Sequence, residues 1–114
     1  MTALRLVSLP THAGFEMLIG LALMVLPFAL GLSSAAMVAG VVAGAVVFGL
    51  ALQAAELGTR SSLSAHHAAD HGVAIGLAGA ALVLSAADGG ATVLFGVAAV
   101  AQAALTLTTR YSAR

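Results

Sequence analysis

Long runs of apolar residues, separated by short polar connections, limit what this chain can fold into. The runs cover residues 13–32, 35–55, 72–87 and 91–107. About 20 helical residues cross the roughly 30 Å of hydrocarbon in a bilayer, and only a helix or a closed barrel satisfies its own backbone hydrogen bonds there. The sequence therefore predicts an all-α fold, an integral membrane four-helix bundle that takes up residues 1–114 as one transmembrane domain.

The composition also indicates that lipid is the solvent of this chain. It has 114 residues, of which 61% are hydrophobic and 7% are charged, whereas about 25% of the residues in a soluble domain are charged. The lipid bilayer is therefore the first expected partner. A net charge of zero gives no reason to expect a nucleic-acid partner, and the absence of Cys excludes disulfides and thiolate metal sites.

The third apolar run is shorter than the others. As a helix, residues 72–87 would extend about 24 Å, which is less than the hydrocarbon thickness. Its helix must include the preceding turn to reach the interface. This requirement places His67, Asp70 and His71 on helix, at the edge of the membrane.

The basic residues predict the orientation. They fall in the N-terminal lead, in the polar stretch 56–64 that we predict as the central loop, and in the C-terminal tail: Arg5, Arg60, Arg110 and Arg114. The short connections at 33–34 and 88–90 contain none. Because short loops rich in Lys and Arg stay on the cytoplasmic side, we expect both termini and the central loop in the cytoplasm.

The two halves of the chain resemble each other. Residues 19–22 and residues 75–78 both read Ile-Gly-Leu-Ala, and in the same register the serines at 33–34 align with the glycines at 89–90. This repeat predicts two tandem transmembrane hairpins, about 12–56 and about 66–110. Residues 1–31 could instead be a signal peptide, but the repeat favours a first helix that belongs permanently to the fold.

The segment GLALMVLPFALGLSSAAMVAGVVAGAVVFGLAL, at residues 20–52, resembles the repeat of the SPW-repeat family of small bacterial membrane proteins. That repeat is a pair of transmembrane helices with Ser-Pro-Trp near the end of the first. Here the triplet is Leu26-Pro27-Phe28, which keeps the proline and replaces the tryptophan with another aromatic residue. The resemblance implies the same four-helix arrangement in a bacterial cytoplasmic (inner) membrane, and it implies no activity.

Polar side chains gather at the predicted cytoplasmic ends of the four helices, where they could form a site. Imidazole and carboxylate groups suit a divalent transition metal such as Zn, Ni, Co, Mn or Fe, and facing helices of a bundle can supply such a set. The candidate metal ligands are His67, His71, Asp70, Glu16, His12 and Glu56, and the further polar candidates are Gln53, Gln102 and His66.

Glu16 stands out because it lies within the first apolar run, where a charge costs a few kcal/mol. It could pair with a protonated His12 or with Arg60, or it could make a structural hydrogen bond between helices. Two other interpretations apply to the polar residues as a group. They could be solvated among the lipid headgroups, or they could sense or relay protons, since His titrates near pH 6.5.

We expect no enzymatic activity, because no phosphate loop and no Ser–His–acid set is recognisable. The first hypothesis is a non-enzymatic assembly or accessory module that forms a homo-oligomer or joins a larger membrane complex. The small-residue spacings Gly40-x3-Gly44 and Gly72-x3-Gly76 suit such helix packing. The alternatives are a small ion, proton or transition-metal transporter that uses Glu16 and the histidines, and a metal-dependent membrane enzyme. Beyond a transition metal, we expect no cofactor.

Overall fold

The computed structural model of the protein describes residues 6–56 and 60–109, without the side chains of 55, 56 and 60–64. It contains four helices, α1 (Leu9–Ala29), α2 (Ser34–Glu56), α3 (Arg60–Leu84) and α4 (Gly89–Thr108). Each is long and apolar enough to cross a membrane. The predicted all-α four-helix bundle is thus confirmed. Helix α1 packs mainly along α2, and α3 packs mainly along α4.

Helix α1 begins before the first apolar run, and it includes Pro10 in its first turn. Proline is tolerated there because the first N–H groups of a helix have no partner within the helix. The Ser8 hydroxyl caps this end by accepting a hydrogen bond from the Thr11 N–H at 3.4 Å. The earlier start adds about one turn before the predicted hairpin, and His12 lies on the helix as expected.

Pro27 and Gly40 are complementary parts of the contact between α1 and α2. Pro27 lies inside α1 and has no N–H, so the carbonyl of Leu23, four residues earlier, lacks its helical donor. That carbonyl oxygen faces Gly40 so closely that a Cβ there would collide with it and would lie 2.7 Å from Pro27 Cγ. The glycine therefore makes room for the carbonyl that the proline frees.

Gly20 and Gly44 continue the same close contact one turn further along. A Cβ added to Gly44 would lie 2.5 Å from the carbonyl oxygen of Gly20, and a Cβ on Gly20 would lie 2.9 Å from that of Gly44. The two backbones thus touch directly. By contrast, Gly72 and Gly76 on α3 have no atom within 4 Å of an added Cβ, among those that the structure describes.

Helix α3 begins at Arg60, whereas the polar stretch 56–64 predicts a loop. Residues 60–64 contain neither proline nor glycine, the two residue types that most disfavour a helix. As a result α3 has 25 residues, and His67, Asp70 and His71 lie well inside it, on helix as predicted from the short third run.

The bundle has apolar side chains both inside and outside. The interior is built around Leu23, Val47, Leu77 and Phe95, each at most 3% exposed. Many large aliphatic residues nevertheless face outward, as on a lipid-facing surface: Leu18, Leu21, Val42, Ile75, Leu82, Val93 and Val100 are examples. The buried polar residues all lie toward one end of the bundle, where α1 and α3 begin and α2 and α4 end.

Asp88 joins the two hairpin connections at the opposite end. Its Oδ1 caps α4 by accepting from the Ala91 N–H at 2.6 Å, and its Oδ2 accepts from the Ser33 N–H at 3.0 Å. Hydrogen bonds from Ser33 and from the Ala91 backbone keep the pKa of Asp88 below its ordinary value of 3.8. Gly31, with φ of +63°, ends α1 in the left-handed conformation that glycine accepts readily.

The glycine contact predicts that Gly44→Ala destabilises the protein whereas Gly76→Ala does not. The new methyl group at 44 meets the Gly20 backbone, and overpacking of this kind costs about 1–3 kcal/mol. At 76 there is open space, and alanine favours helix over glycine by about 1 kcal/mol. Thermal unfolding in detergent measures both. Equal losses in the two variants would contradict the direct backbone contact.

The low pKa of Asp88 predicts a pH-dependent contribution to stability. A carboxyl group whose folded-state pKa is lowered stabilises the fold above its unfolded pKa, and this stabilisation disappears as the pH falls through the folded-state value. We expect Asp88→Ala to lower the thermal midpoint at pH 5–7, with the difference from the parent shrinking below about pH 4. Ser85→Ala, in the same connection, is the control. A difference that persists unchanged at acid pH would argue against this role.

Candidate metal centre

Four titratable side chains from α1 and α3 converge inside the polar end of the bundle. They are His12 and Glu16 on α1 and His66 and Asp70 on α3, and each is at most 1% exposed. One ligand atom from each side chain lies within 4.8 Å of the other three. We refer to these four residues as the buried cluster.

The two helices contribute the same arrangement. Each carries a histidine followed four residues later by a carboxylate, and side chains with this spacing share one face of a helix. The spacing in the chain from His12 to His66 is the same as that from Glu16 to Asp70. The buried cluster therefore receives one matched pair from each hairpin.

The distances within the buried cluster are short. Asp70 Oδ2 lies between the two imidazoles, 2.9 Å from His12 Nε2 and 3.2 Å from His66 Nε2. Glu16 Oε2 is 3.3 Å from His12 Nε2, and Glu16 Oε1 is 3.7 Å from His66 Nε2. Both imidazoles thus present Nε2 to both carboxylates.

The other ring nitrogen of each histidine, Nδ1, makes a hydrogen bond with an uncharged oxygen. His12 Nδ1 lies 2.8 Å from Thr109 Oγ1. Because the Thr109 hydroxyl donates its own hydrogen to the Leu105 carbonyl at 2.6 Å, its oxygen accepts from the Nδ1–H of His12. His66 Nδ1 in turn donates to Gln53 Oε1 at 3.3 Å. With hydrogen on Nδ1, a neutral imidazole has its lone pair on Nε2.

These supporting contacts cross between the hairpins. The histidine of the first hairpin hydrogen-bonds to Thr109, the C-cap residue of α4, and the histidine of the second hydrogen-bonds to Gln53 on α2. A backbone hydrogen bond of 2.9 Å from the Val7 N–H to the Thr108 carbonyl fixes the end of α4 beside the start of α1. Each hairpin therefore orients the histidine that the other hairpin contributes to the buried cluster.

Gln102 completes the surroundings of Glu16. Its Nε2 donates to Glu16 Oε2 at 2.8 Å, and both residues are fully buried. This contact joins α4 to α1 inside the bundle, and it is the helix-to-helix hydrogen bond that was one of the interpretations of Glu16.

The two carboxylates of the buried cluster need positive partners in their charged form. If both were ionised, they would place a charge of −2 in a region of low dielectric constant, where an uncompensated charge is costly. A divalent cation held by two neutral imidazoles would neutralise them, and so would two protonated imidazoles. Either state places positive charge at the Nε2 side of the rings.

The distances between imidazole nitrogens and carboxylate oxygens are compatible with a tetrahedral metal ion. Ligands bound to zinc at about 2.0–2.1 Å in a tetrahedron lie about 3.3 Å from each other. The four nitrogen-to-oxygen distances in the buried cluster run from 2.9 to 3.7 Å, the two to Glu16 involve different oxygens, and one ligand atom from each side chain lies within 4.8 Å of the others. Two imidazoles and two carboxylates are an established type of donor set for zinc and for other borderline transition ions.

The structure brings together some of the predicted candidates and separates others. His12, Glu16 and Asp70 meet, and they are joined by His66, which the sequence analysis placed among the further polar candidates. Gln53 and Gln102 lie beside the buried cluster as hydrogen-bond partners. The side chain of Glu56 falls outside the described residues.

His67 and His71 lie on a neighbouring face of α3, outside the buried cluster. His67 is half-buried and His71 is exposed, and their Nε2 atoms are 3.0 Å apart. Solvation at the membrane edge suits these two residues, but it does not suit the fully buried four. The signal that distinguishes His66 from them is its partner, because only the His66 pair repeats the histidine–carboxylate pattern of α1.

The Thr109–His12 contact predicts that Thr109→Val destabilises the protein. The change removes the acceptor of a buried ring N–H, which costs about 1–3 kcal/mol. Thr108→Val is the matched control, because among the residues that the structure describes the Thr108 hydroxyl bonds to carbonyls of its own helix, and we expect a change below about 0.5 kcal/mol. Thermal unfolding with a chelator present measures both, and equal midpoints would contradict the assignment.

Comparisons with known proteins gave no relative. No family model, no curated protein and no solved structure matches the chain. The resemblance to the SPW-repeat family therefore stays a prediction.

Proposed function

We propose that this protein is a non-enzymatic membrane protein that holds one divalent transition-metal ion, of the zinc class, between α1 and α3. The observation that carries the proposal is the convergence of four buried ligand atoms, two from imidazoles and two from carboxylates, within 4.8 Å of one another. Lipid-facing aliphatic residues surround this polar interior.

The supporting hydrogen bonds favour a metal site over a simple group of ion pairs. Histidines that bind metals usually donate their second ring N–H to an oxygen, which fixes the tautomer and the ring orientation. Both histidines of the buried cluster have such a donor contact through Nδ1. Glu16 likewise has an amide donor on one of its oxygens.

The number of ligands favours holding an ion over transforming a substrate. Four protein ligands complete a tetrahedral shell, as in structural zinc sites, whereas catalytic sites keep one position for water or substrate. The ion would connect α1 of the first hairpin with α3 of the second, and so it would join the two halves of the bundle. This role agrees with the accessory or assembly module expected from the sequence.

The proposal includes a location. The distribution of arginines supports a multi-pass protein of the bacterial cytoplasmic (inner) membrane with both termini in the cytoplasm, and the metal would then lie near the cytoplasmic face. Self-association or membership of a larger membrane complex is also part of the proposal. It is supported by the exposed Gly72 and Gly76, which leave α3 open to close approach.

Metal content and zinc affinity test the function directly. The detergent-purified chain should contain about one transition-metal ion per molecule by elemental analysis, and it should bind zinc tightly in competition with a chelator. At a free zinc concentration one hundred times the dissociation constant, the stability should rise by about 2.7 kcal/mol. His66→Ala and Asp70→Asn should each lose most of the affinity, and Gln102→Leu should lose about 10- to 100-fold.

The matched control is the double variant His67→Ala/His71→Ala, which removes two histidines from the same turns of α3 and leaves the buried cluster intact. It should retain tight zinc binding. Circular dichroism checks that each variant remains helical. A parent protein that binds zinc no better than the folded His66→Ala variant would overturn the proposal.

A further inference from the structure

A second pair of imidazoles lies on the outside of α3. His67 and His71 are one turn apart, their ring centroids are 4.7 Å apart, and their Nε2 atoms are 3.0 Å apart. Neither of them belongs to the buried cluster, and His71 is exposed. Both rings therefore present the same nitrogen to one point at the protein surface.

We propose that His67 and His71 form a separate, exposed site for a transition-metal ion of the Ni²⁺ or Cu²⁺ class. Two nitrogen ligands bound at about 2.1 Å and at right angles lie about 3.0 Å apart, and this matches the measured separation of the two Nε2 atoms. Right-angled positions belong to octahedral and tetragonal ions. The remaining positions of the ion would be taken by water.

Occupancy requires a change of tautomer in one ring. When the two neutral rings bond to each other, one of them donates an Nε2–H and the other accepts it. An ion needs a lone pair on both Nε2 atoms, so the donor ring must carry its hydrogen on Nδ1 instead. Binding then moves one hydrogen within that ring and releases none.

The exposed site is distinct from the buried cluster, although the residues of the two sites are neighbours in the sequence of α3. Consecutive helical residues point about 100° apart, so His66 and Asp70 face inward while His67 and His71 face a neighbouring direction. The exposed pair lies within the first two turns of the span Ala65–Leu84, close to the end where water and headgroups meet the helix. An ion at the surface can therefore exchange with water, whereas an ion in the buried cluster is enclosed by protein.

The test is a Ni²⁺ titration of the detergent-solubilised full chain after its tight site has been filled with zinc, or of the metal-free chain if it retains no zinc. We expect one Ni²⁺ to bind per chain. His67→Ala and His71→Ala should each weaken this binding at least 10-fold, and the double variant should abolish it. The electron paramagnetic resonance spectrum of bound Cu²⁺ should show two nitrogen ligands in the parent and fewer in either single variant.

A control variant with the same number of histidines separates the effect of their spacing on Ni²⁺ binding from the effect of their number. The variant His71→Ala/Ala68→His keeps the number of imidazoles but places them on adjacent residues, which cannot face each other along a helix. It should bind Ni²⁺ as weakly as His71→Ala. Parent-like Ni²⁺ binding in this variant or in the double alanine variant would overturn the inference.

The outcome is independent of the proposed function. Loss of Ni²⁺ binding in the double alanine variant, with zinc content unchanged, supports both proposals. The same loss in a protein that never holds zinc supports the exposed site alone, and unchanged Ni²⁺ binding contradicts the exposed site whatever the buried cluster binds.

Discussion

The burial of two carboxylates inside a bundle with an apolar exterior is the constraint on which the rest of the structure depends. Neither Glu16 nor Asp70 is exposed, and buried carboxylates need partners that the protein itself positions. The two imidazoles and the amide of Gln102 are these partners, and the hydroxyl of Thr109 orients the imidazole of His12. The apolar exterior permits insertion into lipid, but it is the polar interior that determines how the four helices are rotated and which ends meet.

Further along the same buried face of α1, toward its other end, the packing uses small residues rather than polar ones. The carbonyl of Leu23, freed by Pro27, fits against Gly40, and the backbones at Gly20 and Gly44 touch. This contact joins α1 to α2 closely along the middle of the span. The second hairpin has no proline at the corresponding place, and its Gly96 has open space around an added Cβ. The two hairpins therefore share a pattern in sequence without sharing the means by which their helices pack.

The number and approximate position of the helices could be predicted from the sequence because length and hydropathy act locally. The start of α3 could not be predicted in this way, because residues 60–64 are mostly polar and yet belong to the helix. For the choice of His66 over His67 the sequence offers one signal, the histidine–carboxylate spacing that His66 shares with α1, and this signal alone does not decide it. Both histidines have a polar partner one turn later, and which of the two faces turns inward depends on the rotation of α3 against α1, a property of the folded bundle. Glu16, Gln102 and Gln53 were recognisable as polar residues out of place in an apolar helix, but their pairing was not.

The exchange of histidine supports between the hairpins has a consequence for how the chain can be divided. A single hairpin would contain one histidine and one carboxylate of the cluster, but the oxygen that holds its imidazole belongs to the other hairpin. If the chain were cut between α2 and α3, each fragment would contain one histidine–carboxylate pair. Each would also contain the oxygen that hydrogen-bonds to the histidine of the other fragment. Such fragments would be complementary rather than self-sufficient, and their reassembly would be driven by the same pairings that close the intact chain.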